Sequence, residues 1–146
     1  MTFSIHGLAV ARGIAIGRAV LVASSRVDVA HYFIEPTQIE TEIRRRLRAN
    51  FGISLARFDY MAQLYRKPDG LKMKELSNYL MVTGGNITTL TDELERESLV
   101  VREATPTDRR SWIVRLTDNG RQVFSRMARE HEQWILELFE GLEDLA

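Results

Sequence analysis

The sequence contains no cysteine, which excludes disulfide bonds, zinc–cysteine sites and iron–sulfur clusters. No apolar run approaches the ~18 residues that cross a membrane, so no membrane-spanning helix is expected. The most apolar stretch, Gly7 to Ala23, is interrupted by Arg12 and Arg18 and follows no basic leader, so we expect no signal peptide. A cysteine-free chain suits a reducing compartment, and we expect the protein to be cytoplasmic.

The chain also lacks net charge, since 20 Lys and Arg balance 20 Asp and Glu. Nucleic-acid binders usually carry a basic surplus, so this balance taken alone argues against one. The charges are unevenly distributed, however: residues 44–131 hold 17 bases against 11 acids, and residues 132–146 hold five acids and no base. Because electrostatics acts through local patches, the basic middle can still attract a polyanion.

The chain changes character near Pro36. Before it, the stretch GLAVARGIAIGRAVLVASS is rich in small and β-branched residues, which predicts short strands joined by glycine turns. After it, Thr37 can cap a helix that we expect to run from Pro36 to about Ala49. The helix should bury residues at four-residue steps and expose an arginine-rich remainder; the buried set is Ile39, Ile43 and Leu47, and the arginines are Arg44, Arg45, Arg46 and Arg48.

Three further helices are predicted up to residue 96. The first begins near Ser54, and the stretch Lys67–Gly70 ends it in a tight turn because Pro and Gly favour the backbone angles of a reversal. A short helix, MKELSNYL, is followed by a turn at Met81–Val82 and by a helix that Thr83 caps. The expected inward residues are Leu55, Phe58, Met61, Ala62, Tyr65, Met73, Leu76, Leu80, Ile87, Leu90 and Leu94.

A β-hairpin and a long helix complete the pattern. The segments Leu99–Arg102 and Trp112–Leu116 read as strands around a polar turn at Thr105–Arg110. Thr117 then caps a long helix. The expected fold is mainly α with a small β-hairpin wing, a winged helix-turn-helix, plus a short β-rich N-terminal appendage. The inner face of the last helix should contain Val123, Phe124, Met127, Ile135, Leu138 and Phe139.

This order of elements suggests a surface that binds DNA, because the helix from Thr83 can lie in the major groove. Asn86 can pair bidentately with adenine, and the guanidinium groups of Arg109 and Arg110 suit phosphates or a narrow minor groove. A solvated helix face and a solvated turn would show the same residue types, so the order of the five elements is the main support. The candidate DNA-binding residues are Thr83, Gly84, Gly85, Asn86, Thr88, Thr89, Asp92, Arg109, Arg110 and Ser111.

The stretches MKELSNYLMVTGGNITTLTDELERESLVVR and TPTDRRSWIVRLTDNGR resemble the MarR (multiple antibiotic resistance regulator) family over residues 43–142. The resemblance implies a homodimeric, sequence-specific DNA-binding repressor or activator, often relieved by a small aromatic effector. It makes Thr83 to Asp92 the recognition helix and Asp108 to Ser111 the wing tip, with Asp108 bracing Arg110 through a salt bridge. Many members carry a basic residue where Thr89 stands, so which base is read stays open.

A second resemblance covers the other end of the chain. The stretch GLAVARGIAIGRAVLV is similar to the start of enzyme I of the phosphoenolpyruvate sugar phosphotransferase system. The glycine–threonine–serine–histidine context of that enzyme's phosphorylated histidine is absent, and His6 does not correspond to it. We therefore divide the chain into an enzyme I-like fragment, residues 1–36, and a MarR-like domain, residues 37–146, with the junction near Glu42 to Arg46.

This division affects the expected dimer. MarR-like proteins dimerise through a long first helix and the last two helices, and both ends are shortened here. We expect a weakened homodimer and weakened DNA binding, because two recognition helices must be spaced about one DNA turn apart. A non-catalytic interaction module, or a fusion product with impaired dimerisation and DNA binding, is the alternative.

An enzyme is a further rival, and it has little support. The sequence contains no HExxH, P-loop or GxSxG motif, and no cofactor or metal is expected. His131 lies between Glu130 and Glu132, and we interpret it as a solvated residue on a polar helix face. An effector pocket could be lined by aromatic residues, although ordinary core packing explains the same set; these residues are Phe51, Phe58, Tyr65 and Trp112.

Overall fold

The computed structural model describes residues 36–80 and 84–143, a mainly helical chain with one small antiparallel sheet. The predicted N-terminal strands, the turn at Met81–Val82 and the cap at Thr83 lie outside the described residues. The elements are α1 (Pro36–Phe51), α2 (Leu55–Tyr65), β1 (Leu71–Lys72), α3 (Met73–Leu80), α4 (Gly84–Arg96), β2 (Val100–Ala104), β3 (Trp112–Leu116) and α5 (Asp118–Glu143).

The chain divides into two compact units, one of which contains the described residues 36–55 and 127–143. Here α1 buries Ile39, Ile43 and Leu47, as their four-residue spacing predicts. The helix ends at Phe51, two residues beyond Ala49, and the following Gly52 adopts a φ of 63° and donates its N–H to the carbonyl of Arg48 at 3.0 Å. Glycine suits this left-handed cap because it has no side chain to clash with the backbone.

Ion pairs occupy most of the arginine-rich surface of α1. Glu42 accepts hydrogen bonds from Arg45 and Arg46, each at 2.8 Å between nitrogen and oxygen. These two guanidinium groups, Arg45 first, lower the pKa of Glu42 from 4.5 to about 2. Arg46 also reaches Glu137 of α5 at 3.0 Å. The positive charge predicted for this segment is therefore largely compensated where it lies.

His131 corrects the sequence interpretation, because its side chain is 1% exposed rather than solvated. Its neighbours Glu130 and Glu132 suggest a polar face, but the helical spacing places His131 above Met127 and below Trp134 and Ile135, all of which are buried. The imidazole and the indole of Trp134 meet edge to face, with ring centroids 6.5 Å apart. His131 is thus part of the packed face of α5.

The second unit, residues 56–126, contains a three-stranded antiparallel sheet in the order β1-β3-β2. The sequence predicts only the hairpin β2–β3, because β1 is two residues long and shows no alternation. Gly70 allows β1 to approach β3: its φ is 92°, and a Cβ there would lie 2.6 Å from Cγ2 of Ile113. The predicted turn before β1 therefore also requires glycine for close packing.

Most predicted inward residues of this unit are buried, with Phe58 and Phe124 at the centre. Their ring centroids are 5.3 Å apart, and the ring of Tyr65 lies 5.0 Å from that of Phe124. Trp112 is an exception, since it is 45% exposed although core packing was the favoured interpretation. Some other expected core residues are only half-buried: Tyr65, Met73, Leu80 and Val123 in this unit, and Leu138 in the first unit.

The start of α5 is set by two residues. Thr117 caps the helix as predicted, because its hydroxyl accepts the N–H of Gly120 at 2.9 Å. Gly120 also lies against the turn that precedes β2, where an added Cβ would be 2.0 Å from the carbonyl oxygen of Leu99. No other residue type fits there without a shift of backbone.

Candidate nucleic-acid interface

Helix α4 separates its residues into a buried face and an exposed face. Ile87, Leu90 and Leu94 recur at steps of three and four and are buried. The side chains of three predicted contact residues lie on the opposite face and are exposed: Asn86, Thr88 and Thr89. Gly84 and Gly85 form the first two residues of α4. The first half of α4, residues 84–90, therefore contains no charged residue, and its exposed side chains are polar.

A buried pair of hydroxyl groups fixes α4 on α2. The hydroxyl of Tyr60 lies 2.6 Å from Oγ1 of Thr91, and Thr91 Oγ1 in turn donates to the carbonyl of Ile87 at 2.6 Å. Tyr60 and Thr91 are both fully buried. Burial raises the pKa of Tyr60 to about 12, so its hydroxyl stays neutral and can act as the donor to Thr91. Sequence periodicity places Thr91 on α4 but does not reveal its partner.

Two of the three carboxylates of α4 are compensated by an arginine of the sheet. Arg102 of β2 forms ion pairs with Asp92 and with Glu95, the latter at 3.1 Å. Its hydrogen bond lowers the pKa of Glu95 below the usual value. The predicted contact residue Asp92 is thereby engaged within the protein. Sequence analysis missed Arg102, although an arginine in a strand that follows a helix with acids three residues apart is a usable signal.

The wing tip between β2 and β3 is held by its own hydrogen bonds. Thr105 is buried, and its hydroxyl donates to the carbonyl of Asp108 at 2.6 Å and accepts the N–H of Asp108 at 3.1 Å. Ser111 closes the loop, since its N–H donates to the carbonyl of Asp108 at 3.1 Å and its own carbonyl accepts the N–H of Thr105. These contacts give the tip a defined shape.

Asp108 braces the tip in a different way from the expected salt bridge. Its carboxylate accepts the backbone N–H of Arg110 at 2.9 Å, and within residues 36–80 and 84–143 it forms no ion pair with the Arg110 guanidinium. The short Asp side chain reaches the backbone two residues on, as in an Asx turn, which leaves the guanidinium outside. Arg109 and Arg110 are both exposed, and no carboxylate in the described part of the chain pairs with either.

Of the proposed effector-binding aromatics, Phe58 and Tyr65 both pack against Phe124, and Phe51 belongs to the other compact unit. Phe58 is buried against Phe124. The guanidinium carbon of Arg121 lies 5.1 Å from the centroid of the Tyr65 ring. Phe51 contacts Trp134 with ring centroids 6.0 Å apart. No group of three metal-ligating side chains occurs among the residues described, and no helix in that part of the chain is long and apolar enough to cross a membrane.

A short part of this chain is similar to a phosphotransfer enzyme. Phosphoenolpyruvate-protein phosphotransferase of Cupriavidus necator is 49% identical to this chain over 49 residues, which cover 34% of the chain and 8% of that enzyme. The resemblance to enzyme I is therefore a partial one, limited to a small fraction of that protein.

Other matches agree with the winged helix-turn-helix fold. The family model described as MarR family matches residues 51–111. The uncharacterised regulator YkoM of Bacillus subtilis is 34% identical over 92 residues, and this chain spans only 58% of its length. A MarR family regulator from Silicibacter pomeroyi is 34% identical, with 75% of each chain covered and a TM-score of 0.61. Sco3205 from Streptomyces coelicolor, solved in complex with DNA, is 27% identical, with a TM-score of 0.66 over 80% of this chain and 70% of that one. This chain belongs to the MarR family.

Proposed function

We propose that the protein binds double-stranded DNA in a sequence-specific manner and regulates transcription. The observation that carries the proposal is the exposed face of α4 with Asn86, Thr88 and Thr89, together with the exposed guanidinium groups of Arg109 and Arg110 at the wing tip. A major groove admits one helix, and asparagine pairs well with adenine there. The wing arginines supply phosphate or minor-groove contacts alongside.

The internal ion pairs support this orientation. Phosphate repels carboxylates, and two of the three acidic side chains of α4, Asp92 and Glu95, are paired with Arg102. Sco3205, which shares this fold at 27% identity, was solved as a complex with DNA. By analogy with such regulators we further propose a cytoplasmic homodimer that responds to a small aromatic effector. Analytical ultracentrifugation tests the dimer, and a monomer at all protein concentrations would contradict it.

The test of DNA binding is selection of bound fragments from genomic DNA by the purified chain, at two salt concentrations. We expect enrichment of a defined sequence and a steep loss of affinity as salt rises, because phosphate contacts release counterions. Asn86→Ala should alter the enriched sequence, whereas Arg109→Ala with Arg110→Ala should weaken binding to all sequences and reduce the salt slope by roughly 0.9 per lost phosphate contact.

A matched control replaces two exposed cations of α5, Arg126→Ala with Arg129→Ala, which lie outside the wing and α4. These changes remove the same net charge and should leave the salt slope closer to that of the unmodified protein. Absence of any salt-dependent binding to duplex DNA would refute the proposal and favour the interaction module. We also propose that the chain catalyses no reaction; phosphoryl transfer from phosphoenolpyruvate to the protein would contradict this.

A further inference from the structure

We propose that the indole of Trp112 is a further DNA-positioning group, which packs against the sugar–phosphate backbone between the groove entered by α4 and the stretch contacted by the wing tip. This inference rests on the proposed function, because it assumes that DNA is the ligand. It concerns a residue that the sequence analysis assigned to the core or to an effector pocket, and that the structure exposes.

The strand register places Trp112 on the side of the wing that faces α4. Val114 and Trp112 lie two residues apart on β3 and so share one face of the sheet, opposite Arg102 and Ala104 of β2. Arg102 reaches across to the carboxylates of α4 from this face. Trp112 therefore continues the inner face of the hairpin beyond the core, toward the wing tip.

On the β2 side, little covers this indole. Its partner in the ladder is Ala104, which is itself exposed and too small to shield a ring. Val114, two residues along the strand, is fully buried, so the core ends between these two positions. Tryptophan is enriched at interfaces, and Trp112 is 45% exposed at the edge of a packed face, so it is a candidate contact with a partner.

The charges around Trp112 favour DNA over a protein partner. Arg109 and Arg110 precede it in the loop, and both guanidinium groups are exposed and engaged with no carboxylate of the described chain. An indole offers an apolar ring to deoxyribose and an N–H that donates to an acceptor such as a phosphate oxygen, and it offers no acceptor of its own. The adjacent cations hold a polyanion against that ring.

Affinity and its salt dependence together test the proposal, with a duplex from the genomic selection as the probe. The exposed part of the indole is on the order of 100 Å², and covering about half of it corresponds to roughly tenfold in affinity. We expect Trp112→Ala to weaken binding by about this factor with an unchanged salt slope, because an apolar contact releases no counterion. Trp112→Phe should recover much of the loss, and Arg109→Ala with Arg110→Ala should lower the slope.

Fluorescence gives an independent readout, since the chain has only two tryptophans, Trp112 and the buried Trp134. We expect DNA to change the emission of the unmodified protein and of Trp134→Phe, and to leave that of Trp112→Phe unchanged. If Trp134→Phe fails to fold, the difference between the unmodified protein and Trp112→Phe gives the same answer.

The outcomes separate this inference from the function on which it rests. DNA binding that is insensitive to Trp112→Ala, or emission that does not respond to saturating duplex, overturns the inference and leaves the proposed function intact. A reduced salt slope in Trp112→Ala also overturns it, because the loss would then act through the arginines. A changed oligomeric state in this variant would assign the surface to a protein contact instead. Failure of the unmodified protein to bind any duplex refutes both proposals.

Discussion

For the buried hydroxyl pair that fixes α4, we predict that two similar substitutions lower the free energy of unfolding by unequal amounts. Tyr60 and Thr91 are fully buried and their oxygens are 2.6 Å apart. The single hydroxyl proton of Thr91 is directed to the carbonyl of Ile87, so Tyr60 must be the donor in the pair. Removing the donor and removing the acceptor therefore leave different groups without a partner.

The magnitudes follow from this asymmetry. Tyr60→Phe removes one neutral hydrogen bond, and Thr91 still donates to Ile87, so the expected loss in the free energy of unfolding is about 0.5–1.5 kcal/mol. Thr91→Val leaves the Tyr60 hydroxyl buried without an acceptor, which costs about 1–3 kcal/mol. In the double variant no hydroxyl remains to be satisfied. Its loss should therefore be smaller than the sum of the two single losses.

Urea unfolding followed by helical circular dichroism measures these differences as a double-mutant cycle. Tyr79→Phe is the control, because Tyr79 is 48% exposed and its substitution should change stability by less than about 0.5 kcal/mol. Equal losses in the two single variants, or strict additivity in the double variant, would refute the assigned direction of the hydrogen bond. Since this pair fixes α4, Thr91→Val should also weaken DNA binding.

Three further outcomes follow from single contacts. Gly120→Ala forces a Cβ against a backbone oxygen at 2.0 Å and should lower the free energy of unfolding by about 1–3 kcal/mol in thermal or urea denaturation, whereas Asn119→Ala, at the exposed neighbouring position, should have little effect. Because the pKa of Glu42 is lowered from 4.5 to about 2, its contribution to stability is complete above pH 4.5 and is lost as pH falls toward 2. Glu42→Gln should remove that part of the pH dependence of the free energy of unfolding. The same pH dependence in the variant and in the unmodified protein would contradict this. Arg102→Ala exposes uncompensated carboxylates on α4 and should weaken DNA binding most at low salt, while Arg115→Ala, the control on β3, should weaken it less.

Residue periodicity was sufficient to predict the helices and the hairpin. It could not predict features that depend on contacts with residues distant in sequence. Helix α3 coincides with MKELSNYL, and Thr117 caps α5 as expected. Strand β1 was missed because two residues carry no alternation, and its existence depends on pairing with β3. His131 was misassigned because its neighbours in sequence are acidic, while its neighbours along the helix are apolar.

The zero net charge illustrates the same limit, because the effect of a charged residue depends on its ion-pair partners in the structure and not only on its position in the sequence. Segment sums place a basic surplus in residues 44–131, but a surplus attracts phosphate only through cations that no carboxylate already holds. Arg46, Arg102 and Arg115 are each paired with a glutamate, whereas Arg109 and Arg110 at the wing tip are paired with none among the described residues. Arg109 and Arg110 are therefore available to phosphate, and the attraction for DNA is better estimated from exposed cations that no carboxylate holds than from the charge of the segment.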